Sequence, residues 1–495
     1  MKYLFLIIAL LLGVLSVGTY LSFPGIKSDV PVIYWMTDRN AARDMQVEGF
    51  HQWLVDNGHV TDQGKPVVEL RLDITNDDVA KKIIQAVSGI GSDVMDTGGS
   101  HLQLLQTMGV LEDITELAKE QGFDPSQTYK AMLPEITIEG RQFVFPRNIY
   151  VMMLWVNKDL FKQYGISPPP SRWTWDEFEA IGKAFVAKAN VGRKPGQRVF
   201  FVDFLHLTQM PQSMGLSVFN ETLTGCDLGD ARFARCLERV RQWTYEDHLL
   251  PTADDMNAFN AVEGYGGAAT QLFHGGNFAM IQSDLSVLTQ LRKFEPMNLD
   301  VVELPNGGYP TAIMGARSAS IYAGSKHKKL AALFLKYLTS ERYNMQLVRE
   351  ADALPPDPRY TQTELFKRPP DYPNEWGVHE KFHEVAMTIA NGYARSPFVL
   401  SSVVQRETSW FSSLYDNGEI AAMEAAMKIA QAVDRRIADN IARDPKRKVE
   451  FDRRIAIQKQ IDTYMAAGRK LPAAWILNPF YLRYYTQQGM IEATP

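Results

Sequence analysis

Two histidines four residues apart with a glutamate between them are the strongest catalytic signal in the chain. His379-Glu380-Lys381-Phe382-His383 fits H-E-x-x-H. In that pattern both imidazoles share one helix face and ligate zinc, and the glutamate serves as base. Glu407 is a candidate third ligand. Against this, Lys381 and Glu384 place charges where such helices bury apolar residues. Ala386 and Ile389 stand where the longer zinc-peptidase motif has Gly and His. There is no Walker motif, no G-x-G-x-x-G and no G-x-S-x-G elbow, so ATPase, dinucleotide and hydrolase readings lack support. Cys226 and Cys236 match no zinc spacing. In an exported chain they can pair; otherwise they are two thiols on a loop and the helix after it.

The elements that would hold functional residues alternate between strand and helix. Pro31 to Met36 reads as a strand and Asp38 to Val55 as a helix. Val68, Leu70, Leu72 and Ile74 alternate with polar residues, as a strand does. Asn76 opens a helix with Val79, Ile83 and Val87 on one face, ended by Gly89. Ser92 to Met95 is a strand followed by Asp96-Thr97-Gly98-Gly99, and Ser100 opens a helix that stops at Gly109. Such alternation predicts a mostly parallel sheet. Val199 to Val202 is a further strand. From Asp203 to Phe294 the pattern is mainly helical, with a helix over Asp230 to Asp247 and a strand at Phe278 to Gln282. Leu299 to Leu304 and Ser318 to Ala323 are strands, the latter before a helix carrying Leu330, Phe334, Tyr337 and Leu338. Beyond Pro373 nearly everything reads as helix.

With 495 residues, 45% hydrophobic and 22% charged, the chain has room for two or more cores. A net charge of −5, with no basic aromatic stripe, argues against nucleic acid as a partner. Lys2 precedes an uncharged run from Tyr3 to Ile26 whose core, LFLIIALLLGVL, is an export signal. The whole run is long enough to span a bilayer and reads as a signal anchor, with Ser16-Val17-Gly18 as the alternative cleavage site. No cysteine follows, so a lipoprotein is excluded. Either way Lys2 stays inside and the body lies outside the membrane. Residues 446–495 are charge-dense at first and aromatic after Pro472. They read as a helix packed back on the body, and alternatively as a surface for a membrane partner.

Residues 143–185 carry the most specific local pattern. Gly140, in EGRQ, reads as a hairpin turn. Tyr150 to Val156 is a continuous apolar run that suits one strand buried on both faces. Asn157 caps a short helix, Lys158 to Tyr164, which Gly165 ends. Pro168, Pro169 and Pro170 forbid further helix. Thr174 and Glu177 then form a capping box, with Trp173 and Phe178 as its hydrophobic staple. Phe145-Pro146, Leu154-Trp155-Val156-Asn157-Lys158-Asp159-Leu160-Phe161, Gly165 and Thr174-Trp175-Asp176-Glu177-Phe178 resemble the corresponding segments of extracellular solute-binding proteins of ABC importers, in the carbohydrate-binding group that includes maltose-binding protein. Further stretches resemble that group in the same order. They are Gly109 to Thr115, Gly275 to Met280, Leu304-Pro305 through Gly315, Ser325-Lys326-His327-Lys328 with Ala331 and Phe334, and Ala353-Leu354-Pro355. The likeness covers roughly residues 30 to 445 and outweighs the peptidase reading. It departs at Asp284 and Ser286, where the family has Gly and a sugar-stacking Trp.

The resemblance implies an α/β, two-lobed fold of the periplasmic-binding-protein type II class. It has a helical C-terminal part and, here, an N-terminal transmembrane helix. The implied organisation is a signal anchor to residue 29, lobe 1 from 30–147 and 301–350, lobe 2 from 148–300 completed by 351–445, and an extension over 446–495. The chain would close on a sugar or oligosaccharide and deliver it to permease subunits, as a monomer without enzymatic activity, metal or cofactor. A third reading is a membrane-anchored assembly protein that binds no solute. Sugars need flat aromatics for their C–H faces and fixed polar groups for their hydroxyls, placed at strand C-termini. The candidates are Trp35, Asp38 and Arg39; Asp96, Thr97 and Gly98; Arg147 and Tyr150 at the first crossing between lobes; and Trp155, which sits where the family has Tyr and otherwise faces the core. Asp203, Phe204, Asp284 and Met314 complete the set. Crossings are expected near Pro146 to Tyr150 and Leu304 to Met314, and Arg39, Arg147 and Arg317 would suit an acidic sugar.

Overall fold

The computed structural model describes Gly13 and residues 28–38, 40, 42–74, 78–99, 101–259 and 267–492. The rest of the N-terminal span, Asn76 and Ser100 lie outside these. Among the described residues no helix is long and apolar enough to cross a membrane.

Twelve strands among the described residues form two main sheets and one short hairpin. In chain order they are β1 (Val32–Met36), β2 (Glu69–Asp73), β3 (Val94–Gly98), β4 (Thr137–Ile138), β5 (Arg141–Gln142), β6 (Val144–Val151), β7 (Met153–Asn157), β8 (Phe200–Val202), β9 (Phe278–Ser283), β10 (Leu299–Val302), β11 (Ala312–Ile321) and β12 (Ala390–Asn391). The first sheet runs β12-β11-β3-β1-β2, with β6 also on β11; the second runs β10-β7-β9-β8. β1 is parallel to β2 and β3, and β11 is antiparallel to β3 and β6. β4 and β5 make the hairpin expected at Gly140, with Glu139 and Gly140 both left-handed.

The expected single strand over Tyr150 to Val156 is in fact the crossing itself. β6 ends at Val151 in the first sheet and β7 begins at Met153 in the second. Met152 between them donates its N–H to Ile313 O at 3.0 Å. An apolar run cannot show this break, because the residues on either side are buried alike, in different sheets. The chain returns between β10 and β11, and β12 brings a third segment back to β11, pairing Ala390 with Ala312.

The local signals around β7 hold. Asn157 accepts from the Leu160 N–H. Thr174 and Glu177 cap each other's backbone, and the Trp173 and Phe178 rings lie 5.6 Å apart. Helices Ser401–Asp416 and Ala422–Arg443 pack on the helix Ala231–Tyr245 beside the second sheet. The last segment packs inward, as expected, burying Phe480, Tyr481 and Tyr485. Cys226 and Cys236 are free thiols. On the helix Val79–Val87, however, Val87 is exposed, and the face turned inward carries Lys82 and Ala86. The buried lysine donates to Asp96 O at 2.8 Å; Val79 and Ile83 pack partly buried against the core, so the expected apolar face turns inward except at Val87.

Candidate functional site

At the C-terminal ends of β1 and β3 the structure gathers Trp35, Asp38, Asp96 and Arg147. Asp96 accepts from the Trp35 indole N–H at 2.8 Å and the Thr37 hydroxyl at 2.6 Å. Arg147, on β6, places Nη2 3.1 Å from Asp96 and 3.5 Å from Asp38. Its guanidinium lies 5.7 Å from the centre of the Trp35 ring. Asp38 also takes Arg43 Nε at 2.9 Å, and Arg43 Nη1 reaches Asp352 at 3.0 Å. Burial alone would raise the Asp38 carboxyl, but Arg147 and Arg43 outweigh it and hold it at about 2. Asp352 is fully buried, yet Arg43, Arg147 and Arg317 keep it below the ordinary carboxylate range.

Asp352 sits between two left-handed alanines, Ala351 at φ 53° and Ala353 at φ 73°. That conformation costs an alanine roughly 1–2 kcal/mol, and Ala353 occupies the position where the family-like pattern has Gly. The turn is held because Leu354 exchanges backbone bonds with Ile149 at 2.9 Å each way and Asn148 donates to Asp352 O. The first crossing strand is therefore fixed to the turn at Ala351–Ala353 by side chains and backbone together.

The second sheet offers its own strand ends. Asp203, after β8, accepts the Gln282 N–H at 2.9 Å, and burial pushes its carboxyl up to about 7. Asp284, after β9, caps Ser286 and approaches Arg317 of β11 at 3.7 Å. Arg317 pairs with Gly98 in the β3–β11 register, so this pair brings the strand ends of the two sheets together. Phe204 is 42% exposed, with its ring 5.2 Å from His206. Thr97 turns its hydroxyl to Ser320 at 2.8 Å, away from the other candidates. Tyr150 lies against Gly315 and shares its hydroxyl with Tyr393; burial raises it well above the usual phenol range.

Two candidates are misplaced. Trp155 is fully buried, faces Phe382 at 5.5 Å and gives its indole N–H to Asp284 O. Met314 is equally buried in the core shared by both sheets. Arg39 lies outside the described residues. The sequence reading missed Arg43 and Asp352, which carry no local signal, and also Glu135. That carboxylate pairs with Arg395 at 2.5 Å and accepts the Tyr393 N–H at 3.0 Å.

The H-E-x-x-H residues do not converge. His379 Nε2 is 2.8 Å from Glu375 Oε2, a carboxylate also held by Arg292. His383 is taken by Thr361 and Gln362. Among the described residues no group of three or more His, Cys, Asp or Glu is placed to hold a metal ion.

A family model described as bacterial extracellular solute-binding protein matches residues 64–345. Among solved structures, an ABC substrate-binding protein from Listeria monocytogenes in complex with cycloalternan superposes with a TM-score of 0.67. It shares 19% identity and covers 83% of this chain and 100% of its own. The maltose/maltodextrin-binding domain MalE from Bdellovibrio bacteriovorus, bound to maltotriose, gives 0.61 at 17% identity over 82% and 100%. The sugar-binding protein MalE from the phytopathogen Xanthomonas citri gives 0.62 at 17% identity over 85% and 99%. At these identities the likeness establishes the fold.

Two predictions follow from this geometry. Arg43→Met leaves Asp352 buried with less compensation and should lower stability by about 3–5 kcal/mol in urea unfolding. A loss under about 1 kcal/mol, as for an exposed pair, would contradict the reading. For Asp203, the folded carboxyl titrates near 7 and the unfolded one near 4. The folded state thus holds the extra proton, and stability should decline as pH rises from about 4 to 7 and level off above. Asp203→Asn should flatten that part of the curve, and an unchanged slope would count against a buried acid there.

Proposed function

The chain belongs to the bacterial extracellular solute-binding protein family, and on that premise we propose that it binds a sugar or oligosaccharide between two lobes and delivers it to ABC permease subunits. Lobe 1 comprises residues 30–147 with 301–350. Lobe 2 comprises 148–300 completed by 351–445, with 446–495 added to it. The N-terminal run anchors the monomer on the outer side of the cell membrane. No bond is made or broken; the solute bridges both lobes and stabilises the closed state.

The Arg317–Asp284 approach carries this reading, because it joins the strand ends of the two sheets at one place. A polyhydroxylated guest meets Asp38 and Arg317 from lobe 1 there, while Asp203 and Asp284 of lobe 2, held by backbone amides, shape the facing wall. Phe204 supplies the apolar face that the absent family Trp would have given. That the similar structures hold cycloalternan and maltotriose supports an α-glucan among the first sugars to try.

A thermal-shift screen against mono-, oligo- and uronic-acid sugars tests this. Free ligand at a hundred times Kd adds about 2.7 kcal/mol to the native state, which raises Tm by roughly 2–3 °C in a protein of this size. At least one oligosaccharide should do so, and Phe204→Ala should reduce the shift while leaving the unliganded Tm in place. No shift with any sugar would contradict the proposal.

A further inference from the structure

The helix Pro479–Gln487 touches more of the interlobe machinery than its place near the C-terminus suggests. Asn478 begins it, capping the Phe480 N–H and donating to Phe219 O at 2.7 Å. One face of the helix is tied to lobe 2. Tyr481 donates to Asp227 at 2.8 Å and Tyr485 to Glu221 at 2.6 Å. Residues 480, 483 and 484, spaced i, i+3 and i+4, form a second face, and that face meets two of the chain's passages between sheets.

Phe480 and Tyr484 stack nearly parallel, 10° apart, and both meet Tyr309 edge-on, at 5.7 and 5.0 Å. Tyr309 lies in the return from β10 to β11 and is almost fully buried. Arg483 donates to Ala390 O at 3.0 Å and to Thr388 O, the carbonyls that end the helix His379–Thr388 and begin β12. These two passages are also stitched to each other: Ala312 donates to Ile389 O, and Asn391 to the Thr311 hydroxyl at 2.9 Å. A rotation of one lobe against the other must change backbone angles in a few residues of such passages.

We propose that Phe480, Arg483 and Tyr484 are positioning residues that brace the hinge from lobe 2 and so set the resting separation of the lobes and the affinity for solute. This rests on the reading that the lobes open and close on a guest. The residues touch no solute themselves. They act by making one relative orientation of the two returning passages the lowest in energy, and the solute then works against or with that bias.

The test uses the full chain without solute. Cysteines at Val87→Cys on lobe 1 and Val191→Cys on lobe 2, both highly exposed, take a donor–acceptor or spin-label pair. The native thiols are removed first, as Cys226→Ser and Cys236→Ala, so that only the introduced pair is labelled. The labelled parent should give one narrow interlobe distance. Arg483→Met keeps the packing stem and removes the donors, and Tyr484→Leu removes the ring. Each should at least double the width of the distribution or displace its mean, and each should change the Kd for whichever sugar stabilises the parent. If the distribution of Arg483→Met matches the parent's, the brace is overturned, whatever happens to Tm; a packing role alone would lower Tm and leave the distance unmoved. Should Tyr484→Leu not fold, the Arg483→Met arm decides. Because the distance is measured without solute, failure of the sugar screen leaves this result standing on its own.

Discussion

The ionic lattice at the root of the first crossing is the constraint on which the rest depends. Asp38, Asp96 and Asp352 share Arg43 and Arg147, whose guanidinium groups are almost sealed from water. A single buried pair gains little, since desolvation cancels most of the Coulomb attraction. Here Asp38 and Asp96 each take more than one donor and each guanidinium spans two acids, so breaking any link strands a charge. The consequence is geometric. Arg147 belongs to β6, Arg43 to the helix after β1, Asp96 to β3 and Asp352 to the strained turn before Leu354. Four parts of the chain, up to 309 residues apart in sequence, are thereby locked at the point where it leaves one sheet for the other. In the proposed function, bending would fall to Met152 and the two returning passages.

From that fixed root the strand ends of both sheets face one another, and the polar groups sort into two kinds. Asp96 is occupied within lobe 1, and Asp203 and Asp284 hold backbone amides; they shape the walls. Asp38, Arg317 and Phe204 retain exposure, and in the proposed function they meet the guest. A sugar needs this division, because its hydroxyls are recognised only by groups whose own rotamers are already fixed. The apolar core is continuous from one sheet to the other through Ile149, Met314, Trp155 and Phe382.

How much of this could be read from the chain follows from the range of each interaction. The capping box at Thr174 and the caps at Asn157 and Gly165 act within four residues, and the sequence displays them completely. Strand positions at β1, β2 and β9 follow from alternation or apolar runs. The break at Met152 leaves no trace because both neighbouring strands are buried. Trp155 and Met314 lie where a solute contact would be expected by family order, but β7 and β11 turn them inward. Arg43 looks like a solvated helix residue and Asp352 like a loop acid; only the fold brings them together. Lys82, on an apparently apolar helix, is buried to satisfy Asp96 O. Long-range polar pairing is the part that spacing cannot encode.

The account reduces to two rigid lobes that turn about a pinned root and close on a small polar guest. Small-angle X-ray scattering on the full chain, titrated with a sugar that raises its Tm, tests this most directly. The radius of gyration should fall to a single smaller value in proportion to saturation. A radius that stays constant at full saturation would contradict it.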